Sequence, residues 1–161
     1  MTGSPHELAA EVHAALLARG ATVAVAESLT GGALGAALTW VAGVSATFRG
    51  GVVAYATDLK ASVLEVDADL LARVGAVDPE VARQMAVGVR QRLGATYGLA
   101  TTGVAGPDPQ DGHPPGEVHV AWAGPDGAMA VSLTLAGDRS QVRAEAVRRA
   151  LSLANDQLAE H

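Results

Sequence analysis

Short apolar segments alternate along this chain with longer segments in which apolar residues recur every three or four positions. After a Ser-Pro-His-Glu start, helical spacing continues up to Gly20 and predicts a first helix over residues 5–19. The segment "ATVAVA" at 21–26 is short, apolar and partly β-branched, which predicts a buried strand. The glycine-opened segment "GGALGAALTWVAG" that follows predicts a helix, so the chain begins in the order helix, strand, helix.

The middle of the chain repeats this alternation. The segment "GGVVAYA" at 50–56 predicts a second strand, followed by a short helical stretch that carries Lys60. An Asp-Pro-Glu start at 78–80 predicts a helix to about Leu93, and "TYGLATTG" then predicts a third strand. The loop over 103–116 contains four prolines, and a loop of that length in a compact domain is usually functional or mobile.

A hairpin and a long helix complete the pattern. Two apolar segments, "EVHVAWA" and "AMAVSLTLA", flank a Gly-Pro-Asp-Gly turn and predict two paired strands. Asp138, with Gln141 as its capping partner, predicts the start of a closing helix. This order predicts an α/β fold over residues 1–161, a single three-layer α/β/α domain with a mixed sheet of about five strands.

Composition narrows the classes of function. The net charge of −6, the absence of a Lys/Arg cluster and only five aromatic residues argue against a nucleic-acid partner. No apolar run is long enough to span a membrane and the N-terminus does not resemble a signal peptide, so we expect a cytoplasmic protein with no membrane partner. The chain has no cysteine, which excludes disulfides and a cysteine nucleophile. Its histidines are scattered, so we expect no metal site and no cofactor.

Lysine is used at a single position. Ten of the eleven basic residues are arginine, and Lys60 is the exception. Arginine stays charged at any useful pH, whereas the pKa of a lysine falls readily when the side chain is desolvated. A site that needs a neutral amine would therefore retain lysine; the alternative is that Lys60 is an ordinary surface residue.

Familiar catalytic motifs are absent at the ends of the predicted strands, where ligands bind in open α/β sheets. The sequence contains no P-loop, GxGxxG, GxSxG, SxxK or HExxH pattern. What remains is Ser28, which a neutral Lys60 can activate, with main-chain N–H groups near Thr30 to Gly32 as donors to an oxyanion. The alternative is that Ser28 and Thr30 simply cap the following helix and the two glycines make a tight turn.

Four segments in order carry a resemblance to a known family. They are "ESLTGG" at 27–32, "FRGGVVAYATDLK", "GAVDPEVARQMAVGVRQRLGATYGLATTGVAGPD" and "GDR" at 137–139. From about residue 5 to 158 the chain resembles the C-terminal domain of the competence/damage-inducible protein CinA, the family of stand-alone nicotinamide mononucleotide amidohydrolases. The resemblance implies metal-independent hydrolysis of the carboxamide of nicotinamide mononucleotide to nicotinic acid mononucleotide and ammonia.

The resemblance also implies roles for individual residues. The catalytic positions of the family fall on Ser28, Lys60 and Tyr55, with Tyr55 relaying or orienting a proton between the other two. A core tyrosine is the alternative for Tyr55, a solvated helix-end charge is the alternative for Arg139, and Glu27 fixes the loop or orients ligand hydroxyls. The positions implied for binding a small-molecule nucleotide are Glu27, Thr30, Gly31, Gly32, Thr102, Gly103, Gly106 and Arg139.

The departures from the family pattern leave a second hypothesis open. Thr102 stands where serine is frequent, and Thr57 lies in a stretch where an asparagine is usual but missing here. The alternative function is a catalytically inactive nucleotide-binding or regulatory module with the same fold. A homodimer is expected from the resemblance alone.

Overall fold

Five strands form one mixed sheet in the computed structural model of the protein, which describes residues 2–160. In chain order they are β1 (Val23–Glu27), β2 (Phe48–Val53), β3 (Tyr97–Gly103), β4 (Glu117–Gly124) and β5 (Gly127–Thr134). The order across the sheet is β2-β1-β3-β4-β5; β1 runs parallel to β2 and β3, and β4 is antiparallel to both its neighbours. This arrangement confirms the predicted mixed sheet of five strands.

Six α-helices cover the two faces of the sheet. They are α1 (Pro5–Arg19), α2 (Ala33–Thr39), α3 (Thr57–Ser62), α4 (Ala68–Val74), α5 (Pro79–Arg92) and α6 (Arg139–Glu160), with a short 3₁₀ turn at Val44–Ala46. Helices α1, α2 and α6 pack together on one face, and α3 to α5 lie on the other. The three-layer α/β/α architecture is therefore confirmed. None of the helices described is long and apolar enough to cross a membrane.

Predicted helix starts agree closely with the structure because their signals are local. The capping box of α1 is present, and the first turn of α5 begins with Asp78 accepting a hydrogen bond from the Glu80 N–H. At α6, Asp138 and Gln141 bond reciprocally through their side chains and main-chain N–H groups. The separate helix α4 has no counterpart among the predicted elements, although Asp67 caps it in the same way.

The second strand is displaced toward the N-terminus relative to the prediction, because it begins at Phe48, two residues before the predicted start at residue 50. β2 ends at Val53, three residues before the predicted end at residue 56, because the chain leaves the sheet there and enters α3. Its pairing does not stop abruptly, since the Ala54 N–H donates to the Glu27 carbonyl at 2.9 Å. The carbonyls of Ala54 and Tyr55 are thereby freed from the strand ladder and turn toward the functional site.

The sheet separates two apolar layers. One contains buried residues of α1, α2 and α6, such as Leu16, Leu34 and Leu151, and the other contains residues of α5, such as Met85. Close packing on the second face depends on Gly88, where an added Cβ would lie 1.9 Å from the Leu64 carbonyl oxygen. Both layers hold the central strands rigidly, so the loops at their carboxyl ends start from fixed positions.

Candidate active site

The sheet topology brings Ser28 and Lys60 together. Ser28 follows the last residue of β1, and Lys60 lies one turn into α3, which follows β2. The two strands are adjacent and parallel, with Glu27 paired to Val53, so their carboxyl ends meet at one edge. Lys60 Nζ consequently lies 2.9 Å from Ser28 Oγ although the residues are 32 positions apart.

Lys60 is the largest of the fully buried side chains. Its Nζ donates to the Ala54 carbonyl at 2.8 Å and lies 3.5 Å from the Tyr55 carbonyl. A neutral amine has two N–H groups and one lone pair, so these two carbonyls can take the N–H groups while the lone pair faces the Ser28 hydroxyl. The contacts thus suit an amine that removes a proton from Ser28.

Burial changes the ionisation of this amine. Desolvation lowers the pKa of Lys60 from the ordinary 10.5 to about 8. An appreciable fraction of the side chain is therefore neutral near neutral pH, as a general base requires. The alternative of an ordinary surface lysine is wrong, because Lys60 has no exposed surface.

The loop after Ser28 is held by hydrogen bonds to the end of β3. The Thr30 hydroxyl lies 2.8 Å from the Thr101 hydroxyl at the end of β3, and the Ser28 N–H donates to the Thr101 carbonyl. Gly31 and Gly32 have φ angles of +59° and +105°, which other residues rarely adopt. Ser28 and Thr30 do not cap α2, because the N-cap residue is Gly32, so that part of the alternative is wrong; the two glycines do lie in a tight turn, as the alternative also expected.

Glu27 supplies the missing cap. Its carboxylate is buried and accepts the Leu34 N–H at 2.8 Å and the Gly35 N–H at 3.0 Å, in the first turn of α2. This supports the interpretation that Glu27 fixes the loop. Glu27 is not among the residues lining the cleft beside Ser28, so the expected contact with substrate finds no support here.

Some of the main-chain N–H groups near Ser28 already have hydrogen-bond partners within the protein. The Gly31 N–H donates to the Ser28 carbonyl, which removes it from the predicted oxyanion donors. Within residues 2–160, the N–H groups of Leu29 and Thr30 have no hydrogen-bond partner. Within the same described residues the Gly32 N–H is also without a partner, so Leu29, Thr30 and Gly32 remain as possible donors and only Gly31 leaves the predicted segment.

A cleft of about 390 Å³ opens beside Ser28. Its other wall is the proline-rich loop after β3, and Arg139 and Tyr55 stand at its side; the lining residues are Ser28, Leu29, Tyr55, 103–110 and Arg139. The N–H groups of Ala105 and Gly106 are without a partner in the described part of the chain. The cleft thus has the Ser28 hydroxyl at one end and main-chain donors with an arginine along its wall.

Arg139 and Tyr55 contact each other at the side of this cleft. Arg139 donates from Nη1 to the Gly106 carbonyl at 2.7 Å and from Nη2 to the Tyr55 hydroxyl at 3.2 Å. Tyr55 is 57% exposed, so it is not a core residue. Its hydroxyl bonds to Arg139, whereas only its main-chain carbonyl lies near Lys60, and the predicted proton relay finds no support in these contacts.

The two adjacent residues Thr102 and Gly103 have different surroundings. The Thr102 hydroxyl is buried and donates to the Ala76 carbonyl at 2.8 Å, away from the cleft lining. Gly103 does line the cleft, and an added Cβ would lie 2.5 Å from the Glu117 carbonyl oxygen on β4. The threonine at position 102 therefore acts on the packing of the β3 end, and the expected contact of Thr102 with the ligand finds no support.

Comparison with known proteins identifies the family of this chain. The model of the CinA C-terminal domain family matches residues 5–158. The chain belongs to the CinA C-terminal domain family. It is 55% identical over 157 residues to a CinA-like protein of Frankia casuarinae, covering 98% of this chain and 36% of that relative. A CinA-like protein of an Anaeromyxobacter species is 51% identical over 148 residues, with coverages of 91% and 36%.

Solved structures show the same fold. A CinA superfamily protein from Klebsiella pneumoniae superposes with a TM-score of 0.94 at 37% identity, over 99% of this chain and 100% of that one. A competence/damage inducible protein from Agrobacterium tumefaciens gives a TM-score of 0.92 at 34% identity, over 99% and 98% of the two chains. The CinA C-terminal domain described here spans about a third of the length of the curated relatives it matches.

Two features of this CinA C-terminal domain were not found from the sequence. The carbonyls of Ala54 and Tyr55 receive the Lys60 amine, but main-chain groups leave no signal in composition or spacing. Arg143 donates to the Leu29 and Thr30 carbonyls in the loop after Ser28. Its position four residues after Arg139, on the same side of a predicted helix, is the one signal that could have indicated it.

Proposed function

We propose that this CinA C-terminal domain hydrolyses the carboxamide of nicotinamide mononucleotide to nicotinic acid mononucleotide and ammonia. The observation that carries the proposal is the distance of 2.9 Å between Ser28 Oγ and the buried Lys60 Nζ. Burial that lowers the pKa of Lys60 to about 8 supports the same assignment, because the amine must be neutral to act as a base. The choice of substrate rests on the family resemblance.

The chemistry proceeds in two steps. Lys60 takes the Ser28 proton as Ser28 Oγ forms a bond to the carboxamide carbon, and the carbonyl oxygen becomes an oxyanion. The C–N bond breaks, Lys60 returns the proton to the leaving nitrogen, and ammonia departs from an ester on Ser28. Water then attacks this ester with Lys60 again as base, which releases the carboxylate and restores Ser28.

The walls of the cleft suit a phosphorylated ligand. Arg139 carries a fixed positive charge, and the Ala105 and Gly106 N–H groups beside it are unpartnered within residues 2–160. Tyr55 holds Arg139 at the cleft when no anion is bound, through the 3.2 Å contact of its hydroxyl. A nucleotide phosphate competes for this arginine while the carboxamide lies at Ser28.

Ammonia release from nicotinamide mononucleotide tests the proposal directly. Wild type, Ser28→Ala and Lys60→Arg are assayed in buffer with a chelator, and the nicotinic acid mononucleotide formed is measured by mass spectrometry. Both variants lose about 10³-fold or more in kcat, since one lacks the nucleophile and the other cannot supply a neutral base. Ser62→Ala, an exposed serine on the same helix as Lys60, is the matched control and keeps wild-type activity.

The same assay decides between catalysis and binding alone. Saturable binding of nicotinamide mononucleotide without any ammonia from wild type would contradict the proposed reaction. It would favour the inactive nucleotide-binding module, and unchanged binding by Ser28→Ala would then follow. Equal activity of wild type and Ser28→Ala would instead show that another group is the nucleophile.

A further inference from the structure

Arg143 contacts the loop after Ser28 from the far end of the sequence. It lies on α6, one turn beyond Arg139, and is half-buried. Its Nε donates to the Leu29 carbonyl and its Nη2 to the Thr30 carbonyl, each at 3.0 Å. One planar guanidinium therefore holds two successive carbonyls of the loop, a geometry that a single ammonium does not reproduce.

The two carbonyls belong to peptide units that continue toward the nucleophile. The Thr30 carbonyl shares its peptide with the Gly31 N–H, which donates to the Ser28 carbonyl at 3.0 Å. The Leu29 carbonyl shares its peptide with the Thr30 N–H, which has no partner within the described residues. A hydrogen bond to a carbonyl oxygen polarises the whole peptide and strengthens its N–H as a donor.

We propose that Arg143 is a positioning residue for the nucleophile: its guanidinium fixes the two peptide units after Ser28, and with them the place of Ser28 Oγ opposite Lys60. The inference rests on the Ser28 nucleophile of the proposed function but not on the identity of the substrate. Arg143 is not among the residues that line the cleft, so it acts through the loop and not on the ligand.

The surroundings of Arg143 favour this role over a general structural one. Helix α6 is already anchored by Val142, Ala146 and Ala150, which have no exposed surface, so the helix does not need Arg143 to stay in place. The guanidinium lies beside Gly31, where an added Cβ would be 3.4 Å from Arg143 Nη2, so the arginine packs directly against the loop whose carbonyls it binds. The contact is thus specific to the loop that follows Ser28.

The test measures how fast Ser28 reacts with a small alkyl fluorophosphonate. In this reaction Ser28 Oγ forms a bond to phosphorus, fluoride leaves, and the proton passes to Lys60. The rate is measured by mass spectrometry of the peptide that contains Ser28, in wild type, Arg143→Gln and Arg143→Lys. Arg92→Gln, an exposed arginine near the end of α5, is the matched control.

We expect both Arg143 variants to react roughly 10- to 100-fold more slowly, because a small displacement of a reacting atom has an effect of that size. The midpoint of the pH profile stays at the wild-type value, since burial sets the pKa of Lys60 and the Arg143 variants leave that burial unchanged. In a third variant, Arg143→Ala, which leaves space for a free ion, added guanidinium ion restores the labelling rate and ammonium ion does not. With nicotinamide mononucleotide the loss appears in kcat, with KM within about twofold of wild type.

Several results would overturn the inference. Wild-type labelling rates in Arg143→Gln would do so, as would full activity in Arg143→Lys, which keeps the charge but not the planar donor pair. A shifted pH midpoint with an unchanged plateau would place the effect on Lys60 instead. If Arg143→Gln does not fold, by circular dichroism, the comparison of Arg143→Lys with wild type decides.

The proposed function and this inference fail in different ways. If wild type is labelled at Ser28 but releases no ammonia from nicotinamide mononucleotide, the substrate assignment is wrong. The labelling rates of the Arg143 variants then decide whether Arg143 positions Ser28. If wild type is not labelled at Ser28, the nucleophile is wrong and the inference falls with it.

Discussion

Replacement of Lys60 by methionine tests how much the buried, protonated amine lowers the free energy of unfolding. Lys60→Met keeps an unbranched side chain of similar length but removes the charge. Because the pKa is 10.5 in ordinary surroundings and about 8 in the folded protein, the protonated form is destabilised by about 3 kcal/mol on folding. The folded protein therefore binds this proton more weakly than the unfolded chain does.

The sign of the pH dependence follows from this difference. Below pH 8 the penalty is present in full; between pH 8 and 10.5 it disappears progressively, because the folded protein has lost the proton while the unfolded chain still binds it. Linkage gives an increase of about 1.4 kcal/mol in the free energy of unfolding of wild type from pH 7 to pH 9. Lys60→Met lacks this increase, because it has no proton to lose.

Urea denaturation of both proteins at pH 7 and pH 9 measures the effect. The quantity to compare is the change with pH, because the variant also leaves the Ala54 carbonyl without its donor at every pH. Ser28→Ala retains the buried amine and serves as the control that keeps the wild-type increase. Parallel pH dependence in wild type and Lys60→Met would refute a lowered pKa at this position.

Three further outcomes are expected. The kcat/KM for nicotinamide mononucleotide rises with pH to a plateau with a midpoint near 8, the pKa of Lys60, and a flat profile would argue against a lysine base. Arg139→Gln raises KM roughly 10- to 100-fold for nicotinamide mononucleotide but not for the riboside that lacks the phosphate; equal effects on both ligands in steady-state kinetics would show that Arg139 does not bind phosphate. Gly88→Ala lowers the free energy of unfolding in urea by about 1–3 kcal/mol, because its Cβ would lie 1.9 Å from the Leu64 carbonyl oxygen. Gly35→Ala, whose nearest contact would be at 3.4 Å, is the control for that change, and similar losses in both variants would contradict the packing argument.

The sequence predicted the layers of the fold because their signals are local. Capping residues mark the starts of α1, α5 and α6, and short apolar segments mark the buried strands. The end of β2 was predicted three residues too late, since Ala54-Tyr55-Ala56 continues an apolar pattern after the chain has left the sheet. No local feature distinguishes a carbonyl that pairs in a strand from one that turns to a lysine.

In the candidate site, the importance of Lys60 could be predicted from the sequence, whereas the contacts that hold the neighbouring loop could not. Lys60 stands out as the single lysine, so its importance could be inferred before its position was known. Glu27 left two interpretations open, because its partners in the first turn of α2 depend on how the loop folds back. Arg143 reaches Leu29 across 114 positions of sequence, a contact that depends on where α6 docks.

Ser28 and Lys60 lie in a different part of the chain from most of the cleft lining. Both are within the first 60 residues, whereas residues 103–110 and Arg139 form the cleft lining together with Leu29 and Tyr55 from the earlier part. If Ser28 and Lys60 react as proposed, changes in the later segments can alter which molecule is bound without changing these two residues. Exchange of the loop over 107–110 between homologues is therefore a route to new amide substrates for an unchanged serine and lysine.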